Sequence, residues 1–281
     1  MIKNENEKTV DIENIIRKKN PKLLRVLPRF LLNYVKKIIH ENDINSFIKE
    51  HGEKREFEFI DAAINEFGAK VKVYGLENLP QTEGCIIASN HPMGGLDGLT
   101  LIREISKKRT DLRFIVNDIL LGVENIKRLF IPVNKHGKNT MNMLEEINNQ
   151  YASNAVTLIF PAGLVSRKQE GVVQDLEWKK SFVTKARQHK KNIIPVFIDG
   201  NNSPFFYNLS MWRKRIGVKA NIEMLYLVDE MYTQRNKTIS IVFGKPIPYE
   251  SLTIDKRDIV WAKEIKKMVY KIGDDFLKNQ K

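Results

Sequence analysis

The chain has a single cysteine, Cys85, among its 281 residues. No internal disulfide can form, and no cysteine cage for a metal can be built. Such scarcity fits a reducing cytoplasm. Long apolar runs are missing as well: none approaches the roughly 20 residues that span a bilayer. The opening residues, Met1-Ile2-Lys3-Asn4-Glu5-Asn6-Glu7, are polar and carry acids, so they are not expected to act as a secretory signal. No Gly-x-Ser-x-Gly elbow and no His-rich ligand set occur, so a serine hydrolase lacks its nucleophile and no metal site is expected. Internal repeats, low-complexity stretches and interdomain linkers are absent too.

What is abundant is positive charge. Lysine and arginine number 47 against 34 acidic residues, for a formal charge of +13. An excess of this size favours an anionic partner: a nucleic acid, an anionic membrane or an acidic substrate. The hydrophobic fraction of 42% is enough for one large core.

Periodicity divides the chain near residue 70. Upstream, Pro21 to His40 places apolar residues at 27, 30, 31, 34, 35, 38 and 39 on one helical face, ringed by Lys22, Arg25, Arg29, Lys36 and Lys37. A basic amphipathic helix of this kind either lies in a membrane interface or packs on the domain with its charges solvated. Two further helices are expected at 43–50 and 54–67. Downstream, short apolar runs alternate with helical patterns. Strands are predicted at 71–74, 85–88, 113–116, 129–133, 155–160, 192–198, 222–227 and 238–243. Helices are predicted near 98–108, 118–127, 139–151, 175–190 and 256–278. The expectation is an α/β fold with a single mixed, largely parallel sheet flanked by helices. A helical, basic, amphipathic N-terminal region (1–69) would precede an α/β domain (70–281).

The stretch Ser89-Asn90-His91-Pro92-Met93-Gly94-Gly95-Leu96-Asp97-Gly98 is a strand-to-helix turn, which projects its residues from one edge of the sheet. His91 can exchange a proton near neutral pH. Asp97 can hold its other ring nitrogen, and Gly94 and Gly95 let the loop fold back so that the two meet. The plainer reading is a glycine-rich turn with an N-capping Asp and an incidental His. A second turn, Phe160-Pro161-Ala162-Gly163-Leu164-Val165-Ser166-Arg167-Lys168, follows another buried strand and should open on the same edge. Its cations Arg167 and Lys168, with Ser166 and the amides around Gly163, would cradle a phosphate or carboxylate, or be merely solvated. A third strand end, Phe130 to Lys138, carries Lys135 and His136.

In order and spacing, these blocks resemble the glycerolipid acyltransferases, typified by 1-acylglycerol-3-phosphate O-acyltransferase. Asn90-His91 through Asp97 looks like the first block of that family, and Phe130 to Lys135 falls where the second would. Phe160-Pro161-Ala162-Gly163 looks like the Phe-Pro-Glu-Gly block, and Ile194-Pro195-Val196 like the fourth. The sequence departs from the pattern in places. Five residues rather than four separate His91 from Asp97, Ala162 stands where the family has Glu, and Leu164-Val165 where it has Thr-Arg. That Arg is associated with the acceptor phosphate, so its loss suggests another head group. The His-Pro-x-Gly-Gly-x-Asp-Gly variant resembles the bacterial branch that acylates lyso-aminolipids such as lyso-ornithine or lyso-glycine lipids.

The resemblance implies a glycerol-3-phosphate acyltransferase-like fold. It implies a peripheral O-acyltransferase that moves a fatty acyl group from an acyl thioester to a lysolipid hydroxyl, with His91 as general base and Asp97 as its partner. Amides of the Gly94–Gly95 or Pro161–Gly163 turns would stabilise the oxyanion. Ser166, Arg167 and Lys168, with Lys135, would hold the acceptor head group or the anionic thioester carrier. No cofactor is implied beyond acyl carrier protein or coenzyme A as carrier of the donor. Leu27, Phe30, Leu31, Tyr34 and Ile38 become candidate membrane anchors at the cytoplasmic face of the inner membrane, where the enzyme would meet an anionic surface and its lysolipid acceptor. Cys85 reads as core, and His40, His51 and His189 as surface residues.

The competing reading is a basic nucleic-acid or anionic-surface binding protein without catalysis. It calls for cations interleaved with exposed aromatics. The aromatics here fall mostly in apolar periodic runs, which argues against nucleic acid. The exceptions are Phe205-Phe206-Tyr207 and Trp212, a stretch suited to a lid or an acyl-groove wall.

Overall fold

A computed structural model of the chain describes residues 9–117, 123–133 and 141–280. Among the described residues, five helices lead the fold: α1 (Ile12–Lys19), α2 (Pro21–Val26), α3 (Arg29–Ile38), α4 (Glu41–His51) and α5 (Glu56–Glu66). The basic amphipathic stretch is therefore two helices rather than one. Pro28 has no N–H to donate and disfavours helical backbone at Leu27, so α2 stops there with Leu27 extended. Helix α3 buries Leu32 and Ile38 against the protein. Ile38 is thus not available to a membrane, whereas Phe30, Leu31 and Tyr34 are exposed.

Among the described residues, nine strands follow in chain order: β1 (Lys70–Tyr74), β2 (Cys85–Ser89), β3 (Leu112–Asn117), β4 (Phe130–Val133), β5 (Val156–Ile159), β6 (Arg167–Gln169), β7 (Val172–Gln174), β8 (Asn192–Asp199) and β9 (Thr238–Phe243). Seven of them form one sheet in the order β1-β9-β8-β2-β5-β3-β4. All neighbours are parallel except β8 and β9. The sheet is mixed and largely parallel, as the alternating pattern predicts. Helix α6 (Gly95–Ser106) follows β2, α7 (Met141–Ala152) precedes β5, and α8 (Ser181–Gln188) precedes β8. Helices α9 (Pro204–Arg215) and α10 (Leu227–Thr233) lie between β8 and β9, and α11 (Asp258–Asn279) closes the chain.

The central strand β2 is buried along its whole length, as expected for a parallel strand covered on both faces. Side chains alternate across a strand, and here they divide between two cores. Cys85 and Ile87 join Ile60 and Ile64 of α5 and Leu101, Ile102 and Ile105 of α6. Ile86 and Ala88 join Phe182 and Val183 of α8 and Ala262, Ile265 and Val269 of α11. The ends of β2, β5 and β8 come out on one edge, and the turns after β2 and β5 carry the candidate site residues.

Some elements differ from expectation. Ile222–Tyr226 is a 3-10 helix running into α10, not a strand. Its apolar alternation misleads because the charged member, Glu223, is the one buried, neutralised by two arginines. The helix expected over 175–190 shrinks to α8, because Asp175 and Trp178 are buried in a segment without regular secondary structure. Helix α9 has a sequence signal that the periodicity hid. Ser203 is its N-cap, accepting from the Phe206 N–H at 3.3 Å, and Pro204 sits at N1. The β6–β7 hairpin turns at Glu170 and Gly171, both with positive φ. His40, expected at the surface, is half-buried between Asp43 at 2.8 Å and Asp229 at 3.0 Å and stacks on Tyr232, tying the N-terminal helices to α10. Of the helix expected over 118–127, residues 118–122 lie outside the described residues, as do Lys135 and His136, and Glu124–Leu129 is a 3-10 helix.

Candidate active site

Strand β2 delivers the site. Asn90, one residue past its end, prolongs the ladder with its side chain. The amide donates to the Ile198 carbonyl at 2.9 Å and accepts from the Ile198 N–H at 2.7 Å. His91 then leaves the sheet and α6 begins at Gly95. His91 Nδ1 lies 2.8 Å from Asp97 Oδ2, so the dyad closes despite the five intervening residues. The extra residue is absorbed at Gly94, whose φ of 104° and ψ of −132° suit glycine alone.

Asp97 is fully buried at the third position of α6. Its Oδ2 also accepts the backbone N–H groups of Met93 at 2.8 Å and Gly94 at 2.9 Å, a carboxylate reaching back over its own helix start. With Nδ1 held in this way, the tautomer that donates to Asp97 leaves Nε2 as the acceptor. The imidazole stacks on Phe160 at 4.0 Å between centroids and keeps a small exposed area, its side chain being 17% accessible. A ring fixed on one face and at one nitrogen presents one proton-accepting atom outward.

A second carboxylate fixes the backbone of His91. Asp175, wholly buried, accepts the His91 N–H at 3.2 Å and the Ser166 hydroxyl at 2.6 Å on Oδ1, and the Trp178 indole N–H at 2.8 Å on Oδ2. The Ser166 N–H in turn donates to the His91 carbonyl at 2.7 Å. Both backbone polar groups of His91 are thus gripped from the segment between β5 and α8, the carbonyl by Ser166 before β6 and the N–H by Asp175 after β7. Burial pushes the Asp175 carboxyl above its usual range, against the pull of its hydrogen bonds from Ser166, Trp178 and the His91 N–H. Asp175 escaped the sequence reading because it lies in no motif and 84 residues from its partner.

Several expected contacts lie elsewhere. Ser166 is buried and spent on Asp175 and His91, so it braces the site rather than lining it. Arg167 is buried behind it. Its guanidinium donates to Glu223 Oε1 from Nε and Nη2, to the carbonyls of Val165 and Ser166, and to the Met224 sulfur. That uses all five of its donors, so none is left for a ligand. The Gly94 N–H is committed to Asp97 and the Gly163 N–H to the Phe160 carbonyl at 2.9 Å. Lys168 is exposed on β6. Gly95 is half-buried at the start of α6, facing the sulfur of Met231 on α10.

Val165 is buried against Phe206 and Tyr207 of α9, with Leu227 beside it. A Cβ placed on Gly94 would meet Leu227 at 3.4 Å and Val165 at 3.6 Å. One wall of the turn is therefore apolar, at the position where the resembled family carries an arginine. Among the described residues no three His, Cys, Asp or Glu side chains converge as metal ligands, and no helix is long and apolar enough to cross a membrane.

The acyltransferase family model matches residues 14–279. A lyso-glycine lipid O-acyltransferase of Bacteroides thetaiotaomicron is 40% identical over 264 residues, which cover 94% of this chain and 97% of that protein. Its counterpart in Phocaeicola vulgatus is also 40% identical over 264 residues, covering 94% and 95% of the two chains. Among solved structures, the 1-acyl-sn-glycerophosphate acyltransferase PlsC of Thermotoga maritima is similar with a TM-score of 0.47 and 17% identity, covering 87% of this chain and 92% of that one.

Proposed function

The chain belongs to the acyltransferase family, and from that premise we propose that it is a peripheral-membrane O-acyltransferase whose acceptor is a lyso-aminolipid of the lyso-glycine kind. Membership sets aside the alternative of a binding protein without catalysis. The observation that carries the mechanism is the His91–Asp97 dyad, with Nδ1 tied at 2.8 Å and the ring braced on Phe160.

His91 Nε2 takes the proton of the acceptor hydroxyl as that oxygen attacks the thioester carbonyl of an acyl carrier protein or coenzyme A donor. Asp97 stabilises the imidazolium so formed. The tetrahedral oxyanion collapses, the C–S bond breaks, and the departing thiolate takes the proton back from His91. The products are the O-acyl lipid and a free thiol, and no covalent acyl-enzyme is needed. Lys168 is the exposed cation of the 160–168 turn and the one described residue there free to meet an anionic carrier. Lys135 is retained as its partner on the strength of the sequence alone.

The acceptor assignment rests on Val165. A buried apolar wall beside the catalytic turn offers no charge to a phosphate monoester. It suits an acceptor that carries its single carboxylate away from the reacting hydroxyl. In assays of the purified protein with an acyl thioester, lyso-glycine lipid is expected to be acylated at least tenfold faster than lysophosphatidate. A preference for lysophosphatidate would overturn the assignment.

Asp175 acts as a positioning residue. Asp175→Ala leaves the His91 N–H without its clamp, and kcat is expected to fall about 10–100-fold, since displacements of about 1 Å are costly. KM for the thioester should hold. Trp178→Phe removes a donor to the same carboxylate without releasing His91 and should keep kcat. Equal losses in both variants would reduce Asp175 to a purely structural part.

Membrane association rests on α2 and α3. Leu27 is half-buried, while Phe30, Leu31 and Tyr34 are exposed among cations, an arrangement suited to the anionic cytoplasmic face of the inner membrane.

A further inference from the structure

Two of the longest acid-free stretches of the chain stand out. One runs from Asn14 to His40, the other from Gly200 to Ile222. They are far apart in sequence but meet in space. The Tyr34 hydroxyl of α3 lies 2.9 Å from that of Tyr226, the two rings are edge to face, and Phe205 of α9 packs against Tyr226 at 4.9 Å between centroids. Outward from this seam the surface is apolar on both sides. Val26 and Phe30 are 76% and 75% exposed; Trp212 and Ile216 are 61% and 68% exposed.

Helix α9 is turned against its own chemistry. Its buried face holds Arg213, paired with Glu223, while Trp212 faces water with Lys214 and Arg215 exposed beside it. Isolated exposed apolar residues are ordinary, but apolar residues exposed on two neighbouring elements and rimmed mostly by cations mark an interaction site; Asp229, beside Tyr226, is an acid at its edge and is paired with His40. An aromatic that is apolar in body and polar at its tip, set among lysines and arginines, matches the interfacial zone of an anionic bilayer. The inner face of the same helix contributes Phe206 and Tyr207 to the cluster around Val165, which adjoins Gly94. The patch is thus one layer of side chains from the catalytic turn.

We infer that α9, with the 3-10 helix Ile222–Tyr226, is a second membrane-docking element, seated in the head-group layer of an anionic bilayer beside α2 and α3. The acceptor lipid then reaches His91 across α9 without leaving the membrane surface. This rests on the peripheral-membrane reading above and adds an element that the reading does not include.

The test is flotation of the full-length protein with phosphatidylcholine vesicles, with and without phosphatidylglycerol. Three double variants are compared: Trp212→Ser with Ile216→Ser, Lys214→Gln with Arg215→Gln, and Val26→Ser with Phe30→Ser. All six positions are exposed, and thermal unfolding verifies the folds. Wild type is expected to float with the phosphatidylglycerol vesicles. Loss of two interfacial cations should weaken binding on the order of 30-fold, and loss of Trp212 and Ile216 at least tenfold. Transfer to a short-chain, monomeric acceptor should stay unchanged. If the α9 variants float like wild type while the Val26 and Phe30 variant does not, the inference fails and the peripheral-membrane reading stands. If wild type itself does not float, both fail. If the α9 variants keep flotation but change the elution volume on gel filtration, the occupant is a second copy of the chain and the inference is overturned.

Discussion

Replacing His91 with alanine is expected to lower the rate of acyl transfer by about 10²–10⁴-fold, the usual contribution of a positioned general base. The side chain is largely enclosed and its removal frees the face of Phe160, so the fold should survive with a modest loss of packing. The effect should fall on kcat, because the imidazole acts on the proton in flight rather than on the resting complex. Asp97→Asn should come close to the same loss by another route. Three donors converge on Oδ2: the His91 ring N–H and the amides of Met93 and Gly94. An asparagine satisfies them only with its oxygen at that position, which puts its NH2 where Oδ1 lies buried with no partner among the described residues. The neutral amide also withdraws the charge that stabilises the imidazolium. Steady-state kinetics on both variants, with circular dichroism to verify folding, is the measurement. Transfer within a few-fold of wild type in His91→Ala would dispose of the mechanism, whatever became of the acceptor assignment.

The His91–Asp97 pair was legible in the sequence because a strand-to-helix turn that brings such a pair together leaves a local mark: His91, two glycines and Asp97 within seven residues. The sheet was legible for a similar reason. Buried central strands such as β2 and β8 are short apolar runs whatever surrounds them. What could not be read was every interaction that joins distant segments. Asp175 grips His91 across 84 residues, and no periodicity reports such a grip. Arg167 looked like a ligand for an anion because arginines beside a glycine turn usually are. Its anion is Glu223, 56 residues on, inside the protein. The mistaken strand at 222–227 has the same root, since a charged residue in an apolar alternation was assigned to solvent when its partners had taken it inside. Pro28, by contrast, was in plain view, and its lack of an N–H was sufficient reason to divide α2 from α3.

Glu223→Ala is expected to be strongly destabilising, by about 3–5 kcal/mol. Glu223 is wholly buried, and Arg167 and Arg213 are nearly so. Arg213 pairs with both carboxylate oxygens, at 2.9 Å on Oε1 and more closely on Oε2, while Arg167 reaches Oε1 at 2.9 Å from Nη2 and 3.2 Å from Nε. Removing the acid strands two guanidiniums in a site that water does not reach, and the loss is a large share of a stability of about 5–15 kcal/mol. Burial alone would raise the Glu223 carboxyl, yet the two guanidiniums and its backbone hydrogen bond hold it below its ordinary value. The folded pKa is thus the lower one. The contribution is fully present above the unfolded carboxylate range and is lost as pH falls through the folded value, so wild type should be acid-labile in a way that the variant is not. The triad ties β6, α9 and the 3-10 helix into the wall behind Val165, and the variant should also turn over more slowly at temperatures where it remains folded. Urea unfolding at neutral and acid pH measures both effects. The triple replacement Arg167→Met, Arg213→Leu, Glu223→Leu separates charge from packing, because apolar groups of similar volume often replace a buried ionic cluster at no cost or with a gain. Recovery of stability in the triple variant is the expected result. If Glu223→Ala alone unfolds at the urea concentration of wild type, the cluster contributes nothing to holding α9 in place.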